Sequence, residues 1–327
     1  MGPSFSFAVG DYDRIRALWD GSVRSDQFSL DVRLMRVDQI FIQMVKDRAF
    51  DISEMSLSTY TIMKDRGDSP FVAIPIFLSR KFRHGDIYIR RDSNILNASD
   101  LNGKRIGVPE YQITAAVWLR GILQDDYGIK LQDIHWRTGG LESPGRQEKI
   151  PLLLPGHFDV RAIGEKETLI DLLRYGELDA IITPTQPLAF KNSEHWLQRL
   201  FPNYMSDEQS FFRRTGLFPI MHTVVVRKEV HEQNPWLVSA LCDLFQKAKE
   251  LCFARYQDRL ALTVSVPWFD VQLDQARDLM GNDFWSYGIE SNQKTLEVFL
   301  RYMKEQGLIN RASLWEPQEL FVADVKK

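Results

Sequence analysis

The chain has 327 residues, 44% hydrophobic and 26% charged, a composition that excludes a disordered protein and leaves room for two lobes. Lys plus Arg total 41 against 44 for Asp plus Glu, a net charge of -3, so nucleic acid and anionic membrane surfaces are not expected partners. No apolar run approaches the length of a membrane span, and a small molecule is the expected ligand.

Met1 to Gly10 passes directly into a strand-like run with no basic segment followed by a long apolar one, which predicts a cytoplasmic protein. Phe5 to Val9 is the first expected strand, and Asp11 the expected cap of a helix that faces inward through Ile15, Leu18 and Trp19 and carries Arg14 in its first turn. Leu30 to Val37 alternates as a second strand. Asp38 then caps a helix with Phe41, Met44 and Val45 inward, and Phe50 to Ser56, which includes Glu54, reads as a short strand running into a polar corner. Such a β-α-β-α-β opening implies a parallel sheet, whose ligands gather at strand carboxyl ends. Phe71 to Phe77 and Gly85 to Arg90 are further strand-like runs, separated by the basic segment Ser79 to His84.

Asn102-Gly103 is a turn, Arg105 to Val108 a strand stopped by Pro109, and a helix begins near Ile113 with Ala116, Leu119, Ile122 and Leu123 on one face. The first N–H groups of that helix are expected to face the loop Glu110-Tyr111-Gln112, a corner that can hold a carboxylate and is otherwise an ordinary βα connection. Trp136 to Lys149 is rich in turn residues and charge and reads as a loop. Thr168 to Tyr175 forms a helix closed by Gly176, before the apolar run Ala180 to Ile182 and the break Thr183-Pro184-Thr185. Phe218 to Arg227 reads as a long strand that returns the chain to the first lobe. Asn234 is the expected cap of a helix with Pro235 at its first position, and a later helix presenting Leu296, Phe299, Leu300 and Met303 ends at Gly307. Cys242 and Cys252 share the former helix about 15 Å apart at 1.5 Å per residue, too far to pair, and read as core thiols. The lobes expected are 1–92 with 223–327, and 93–222.

This order of elements resembles the type II periplasmic-binding-protein fold: α/β, two lobes, a central cleft and two crossing hinge strands. The runs Gly10-Asp-Tyr-Asp-Arg-Ile-Arg-Ala-Leu18, Phe82-Arg-His84, Gly107-Val-Pro-Glu-Tyr-Gln112, Thr138-Gly-Gly-Leu-Glu142 with Pro144-Gly-Arg146, and Phe284-Trp-Ser-Tyr-Gly288 resemble 4,5-dihydroxyphthalate decarboxylases over nearly the whole chain. Gly85 stands where that family often has Ser. The resemblance implies a carboxy-lyase that uses no cofactor and converts 4,5-dihydroxyphthalate, a small aromatic dicarboxylate, to protocatechuate and carbon dioxide. Self-association into a homo-oligomer is left open. The rival reading is a non-catalytic solute-binding protein that hands an aromatic carboxylate to an ABC-type transporter; an export leader would favour it.

Each carboxylate of that substrate lies para to a hydroxyl. Protonating the ring carbon that bears the departing carboxylate gives a dienone-like intermediate as the para hydroxyl loses its proton, and loss of carbon dioxide restores aromaticity. A general acid, an acceptor at the phenol and cations for the remaining carboxylate are therefore needed. His84 is the first choice for proton transfer and His222 the second, each weighed against a structural histidine. Glu54 and Glu110 end predicted strands and can accept phenol protons, or merely cap and bridge. Arg14, Arg83 and Arg146 suit bidentate carboxylate binding, against the commoner fate of surface ion pairing. Tyr111 and Thr114 belong to the corner before the Ile113 helix, and Thr183 and Thr185 to the matching corner after Ile182. A metal held by His84, His222 and Glu54 has no HxH, HExxH or cysteine cluster behind it, so no metal is expected.

Overall fold

A computed structural model describes residues 2–322 apart from positions 259 and 262. Its strands in chain order are β1 (Ser4–Val9), β2 (Ser29–Leu34), β3 (Ile52–Ser56), β4 (Phe71–Arg80), β5 (Ile87–Arg90), β6 (Arg105–Val108), β7 (His135–Thr138), β8 (Asp159–Ala162), β9 (Ala180–Ile182), β10 (Leu197–Arg199) and β11 (Ile220–Arg227). They form two mixed sheets, ordered β2-β1-β3-β11-β4 and β10-β5-β9-β6-β7-β8. Among the described residues no helix is long and apolar enough to cross a membrane.

The first compact unit comprises the described residues up to Arg80, Ile220–Leu296 and those from Trp315 onward. Here β1 lies parallel to both β2 and β3, as the opening pattern requires, while β11 runs antiparallel between β3 and β4. The helix Leu237–Gln257 covers one face, setting Leu237, Leu241, Leu244, Phe245 and Ala248 on Phe5, Phe7, Val9 and Ile74. Phe7 and Phe245 meet edge to face at 5.5 Å. Each such fully buried side chain contributes about 1.5–3 kcal/mol.

The ladder between β11 and β4 is irregular. β11 pairs His222 with Ser79 and Val224 with Ile74, so the four residues Pro75 to Leu78 stand opposite the single residue Thr223. Proline has no N–H for a ladder, and Pro75 marks a bulge on this outermost strand.

The second unit comprises Lys81–Pro219 and Glu297–Leu314. Its strands β9, β6, β7 and β8 are parallel neighbours, with β5 and β10 antiparallel at one side. Leu169, Leu172, Leu173, Leu178, Ile181 and Leu197 form the core on one face. On the helix Thr114–Tyr127, Trp118 packs against Phe299 and Tyr302. Glycine is required at 121, because a Cβ there would lie 2.2 Å from the Tyr302 ring.

The unit boundaries differ from those expected. Residues 81–92 belong to the second unit because β5 pairs with β9 and β10. The return falls at Ile220, already paired with Arg80. Residues 297–314 leave the first unit because Phe299, Tyr302 and Gln306 pack on the Trp118 and Arg120 helix. Locally, Asp11 caps no helix: a 3-10 turn Asp13–Ile15 leads into Arg16–Trp19, and Trp19 is exposed. Trp136 to Thr138 is strand, not loop, since Trp136 pairs with Ile106 and Val160. The long helix begins at Leu237, and Asn234 instead bonds the Val230 carbonyl at the end of a preceding short helix.

Candidate active site

β3 is buried along its whole length, so Glu54 has no exposed surface and must find its partners within the protein. It has three. The Gly10 amide donates to Oε2 at 3.0 Å, the Tyr12 hydroxyl donates to Oε1 at 2.6 Å, and His222 Nδ1 lies 2.5 Å from that same Oε1. Burial alone would raise the carboxyl, but the charge and hydrogen bond of His222, with the bonds from Tyr12 and Gly10, outweigh it and hold Glu54 below its ordinary value. An ionised carboxylate only accepts, so Nδ1 carries the proton in this bond. Among the described residues nothing bonds Nε2 of His222, whose ring stands edge-on to Phe41 at 4.9 Å. Burial first, then the Glu54 charge, raises Tyr12, so its hydroxyl keeps its proton and remains a donor.

Arg14 is not placed as the expected carboxylate clamp. Nη1 donates to Asp13 at 2.7 Å, Nη2 donates to the Leu78 carbonyl, and the guanidinium lies 3.9 Å from the Trp285 ring centre and 4.8 Å from that of Tyr12. It is 7% exposed, and its Nε is buried with no partner among the described residues.

In the second unit His84 opens a 3-10 turn, His84–Asp86, with its ring against Phe201 at 5.5 Å and Phe211 at 5.4 Å. It is 1% exposed, its Nδ1 has no partner among the described residues, and burial lowers its pKa. A side-chain Cβ at Gly85 would fall 2.9 Å from the Tyr204 ring, which accounts for glycine at this position. Arg83 pairs with Asp86 at 2.7 Å, both buried, and Lys81 reaches the same carboxylate at 3.2 Å. The Asp86 carbonyl accepts from Thr183 N–H at 3.0 Å, while Thr183 Oγ1 and Thr185 bond each other across a tight turn.

The corner before the Thr114 helix is also occupied. Buried Glu110 accepts from Arg146 at 2.7 and 3.1 Å and from Lys149 Nζ at 2.5 Å, so it is not an available base. The amides of Tyr111 and Gln112 donate to the Glu148 carboxylate, as does Gln112 Nε2 at 2.8 Å. Tyr111 is a core residue with Arg120 stacked 3.8 Å from its ring centre. Thr114 is buried at the first helical position. Arg146 keeps Nη1 without a partner among the described residues, and its side chain is 42% exposed.

The structure thus brings Glu54 and His222 together, with Arg14 beside them, in one unit. In the other it brings together Glu110 with Arg146, and Arg83 with the Thr183 turn through Asp86. Sequence reasoning missed Tyr12, Glu148 and Lys149. Tyr12 lies inside the run Gly10 to Leu18 and the other two inside the stretch Trp136 to Lys149, but only three-dimensional proximity shows that they serve Glu54 and the β6 corner.

No family model matches the chain. A 4,5-dihydroxyphthalate decarboxylase from Comamonas testosteroni is 42% identical over 316 residues, covering 97% of this chain and 95% of the relative. The chain belongs to the 4,5-dihydroxyphthalate decarboxylase family. A second 4,5-dihydroxyphthalate decarboxylase, from Pseudomonas putida, is 44% identical over 210 residues, 64% of this chain and 81% of its own length. Among solved structures, a periplasmic sulfonate-binding protein of Methylobacillus flagellatus is similar with a TM-score of 0.51 at 12% identity, covering 98% of this chain and 91% of that one. At that identity the likeness is one of fold alone, and it places this member of the decarboxylase family in the periplasmic-binding-protein-like α/β class read from the order of elements.

Proposed function

We propose that this chain is a carboxy-lyase that converts 4,5-dihydroxyphthalate to protocatechuate and carbon dioxide, with His222 as the proton-transfer group. The observation that carries the assignment is the Glu54–His222 pair: a buried carboxylate holds Nδ1 and leaves Nε2 without a protein partner among the described residues. A carboxylate so placed fixes the ring's orientation and stabilises the imidazolium. Nε2–H then donates its proton to the ring carbon bearing the departing carboxylate while the para hydroxyl gives up its own to solvent water, forming the dienone. The bond to the carboxylate breaks, its electron pair restores the aromatic ring and carbon dioxide leaves. The same solvent finally returns a proton to the phenolate and recharges the imidazole.

His84 receives a structural role in this reading, since it is packed between two phenylalanine rings. Arg146, with an uncommitted guanidinium edge, is assigned to carboxylate recognition. The reaction is proposed to need no cofactor and the protein to work in the cytoplasm, which suits two cysteines outside any disulfide. The solute-binding alternative has the shared fold behind it, and fold does not carry function.

The deciding experiment incubates purified protein with 4,5-dihydroxyphthalate, with and without chelator, and follows carbon dioxide and protocatechuate. Equal turnover in both arms is expected. Tight binding of the diacid with no product over hours would sink the enzyme assignment, and loss of turnover on chelation would replace the metal-independent form of it. Cell fractionation tests the location.

A further inference from the structure

We propose that Tyr12, Arg14 and Trp285 form a positioning stack for the Glu54–His222 pair, so that Arg14 acts through Tyr12 and not by binding a substrate carboxylate. The proposal rests on the catalytic reading of His222 and Glu54. Its starting point is that Tyr12 and His222 bond the same oxygen, Glu54 Oε1, at 2.6 and 2.5 Å. Any rotation of the Tyr12 phenol therefore alters the acceptor that orients the imidazole.

Tyr12 lies between the end of β1 and the Asp13–Ile15 turn, where no strand ladder fixes its ring. Its ring packs at the margin of the core and its hydroxyl meets Glu54 and the Ser79 side chain, while the Arg14 guanidinium, at 4.8 Å and itself seated 3.9 Å from Trp285, adds a charged plane against the ring. Arg14 and Trp285 are both tied to the bulged segment of β4: Trp285 Nε1 donates to the Phe77 carbonyl at 2.9 Å, and Arg14 Nη2 donates to the Leu78 carbonyl. Gly288 N–H reaches the Pro75 carbonyl at 2.8 Å. The bulge and the run Phe284 to Gly288 thus have a common purpose, which is to build the socket for Arg14. A planar guanidinium suits stacking on two rings, and lysine does not reproduce it.

The test compares Tyr12→Phe, Arg14→Met, Arg14→Lys and Trp285→Phe in the full-length protein. With 4,5-dihydroxyphthalate as substrate, each is expected to lower kcat about tenfold, the order of one hydrogen bond to a charged group, with KM within about twofold. In Tyr12→Phe the acid limb of the rate profile should move to higher pH, because a bond that lowers Glu54 is lost. Arg14→Met raising KM about tenfold at unchanged kcat would make Arg14 a substrate clamp and overturn the proposal, as would full kcat in Trp285→Phe. A second readout needs no turnover: the far-downfield proton resonance of the short His222–Glu54 bond, identified by its loss in Glu54→Gln. It should shift or broaden in Tyr12→Phe and Trp285→Phe, and an unchanged resonance in both would overturn the proposal. Absence of product from the unsubstituted protein would defeat the decarboxylase assignment alone, leaving the resonance to decide the stack.

Discussion

His222 and Glu54 are diagonal neighbours on one face of an antiparallel strand pair: His222 stands opposite Ser56, Glu54 opposite Val224, and Nδ1 lies 2.5 Å from Oε1. A one-residue slip of β11 would turn the imidazole to the other face, so the register of buried β3 and β11 is what creates the pair.

Replacing His222 with Gln should lower kcat by about 10²–10⁴, the usual worth of a positioned acid–base group, with substrate still bound. Glu54→Gln keeps the shape but loses the charge that holds an imidazolium, and should fall in the same range. Steady-state kinetics beside equilibrium binding of the diacid separates the two effects, and near-normal kcat in either variant removes the pair from the chemistry.

Glu54 also ties stability to pH. Its folded pKa is below the ordinary value, so its ionisation stabilises the fold above the unfolded-state pKa, and that contribution is lost as pH falls through the folded value. Denaturant midpoints measured from neutral to acid pH should therefore fall less steeply for Glu54→Gln than for the unsubstituted protein.

His84 should prove dispensable for chemistry. Its ring fills space between Phe201 and Phe211, so His84→Leu should retain kcat, while His84→Ala should cost about 2–4 kcal/mol as a buried cavity forms. Chemical denaturation and the product assay together check this, and loss of turnover in a folded His84→Leu protein would return His84 to the mechanism.

Glu110 and Arg146 should separate in the opposite sense. Glu110→Ala leaves Lys149 buried without its carboxylate and should destabilise by about 3–5 kcal/mol in denaturant titrations. Arg146 is partly exposed, so Arg146→Ala should cost little stability and appear chiefly as a higher KM.

Glu208, on the helix Tyr204–Thr215, accepts the Gly85 amide at 3.4 Å, and burial, with the Asp86 charge, pushes its carboxyl up from 4.5 to about 7. A raised carboxyl stabilises the fold below its unfolded value, and that contribution is lost as pH rises through the folded one. Glu208→Gln should therefore gain stability over the unsubstituted protein as pH rises through about 5 to 8, read from thermal midpoints.

Much of this architecture was legible in the chain. The apolar alternation of Phe5 to Val9 and the compact run Ala180 to Ile182 gave strands where the sheets have them, and Gly176, in left-handed conformation at φ 79°, follows the helix Leu169–Arg174 as its closing residue. The helix Leu57–Asp65 was not legible, because it is buried all round and carries no amphipathic stripe. The helix Tyr204–Thr215 was missed although its pattern is amphipathic, and with it went the packing that encloses His84. At the site, residue type showed that Glu54, Arg14 and Arg146 could meet carboxylates or cations. Which partner each had already taken was invisible, because His222, Leu78 and Glu110 reach Glu54, Arg14 and Arg146 through folding and not through sequence spacing.

The bulge at Pro75 has a consequence outside catalysis. β4 is the outermost strand of its sheet, and such a strand ordinarily offers a template to another chain. Here Phe321 bridges to Ala73 and the Val322 amide takes its carbonyl, Pro75 presents no N–H, and the Pro75 and Phe77 carbonyls are held by Gly288 and Trp285. From Ala73 to Phe77 the rim of the sheet is covered by the protein's own later residues, which removes that stretch of β4 as a template for another strand.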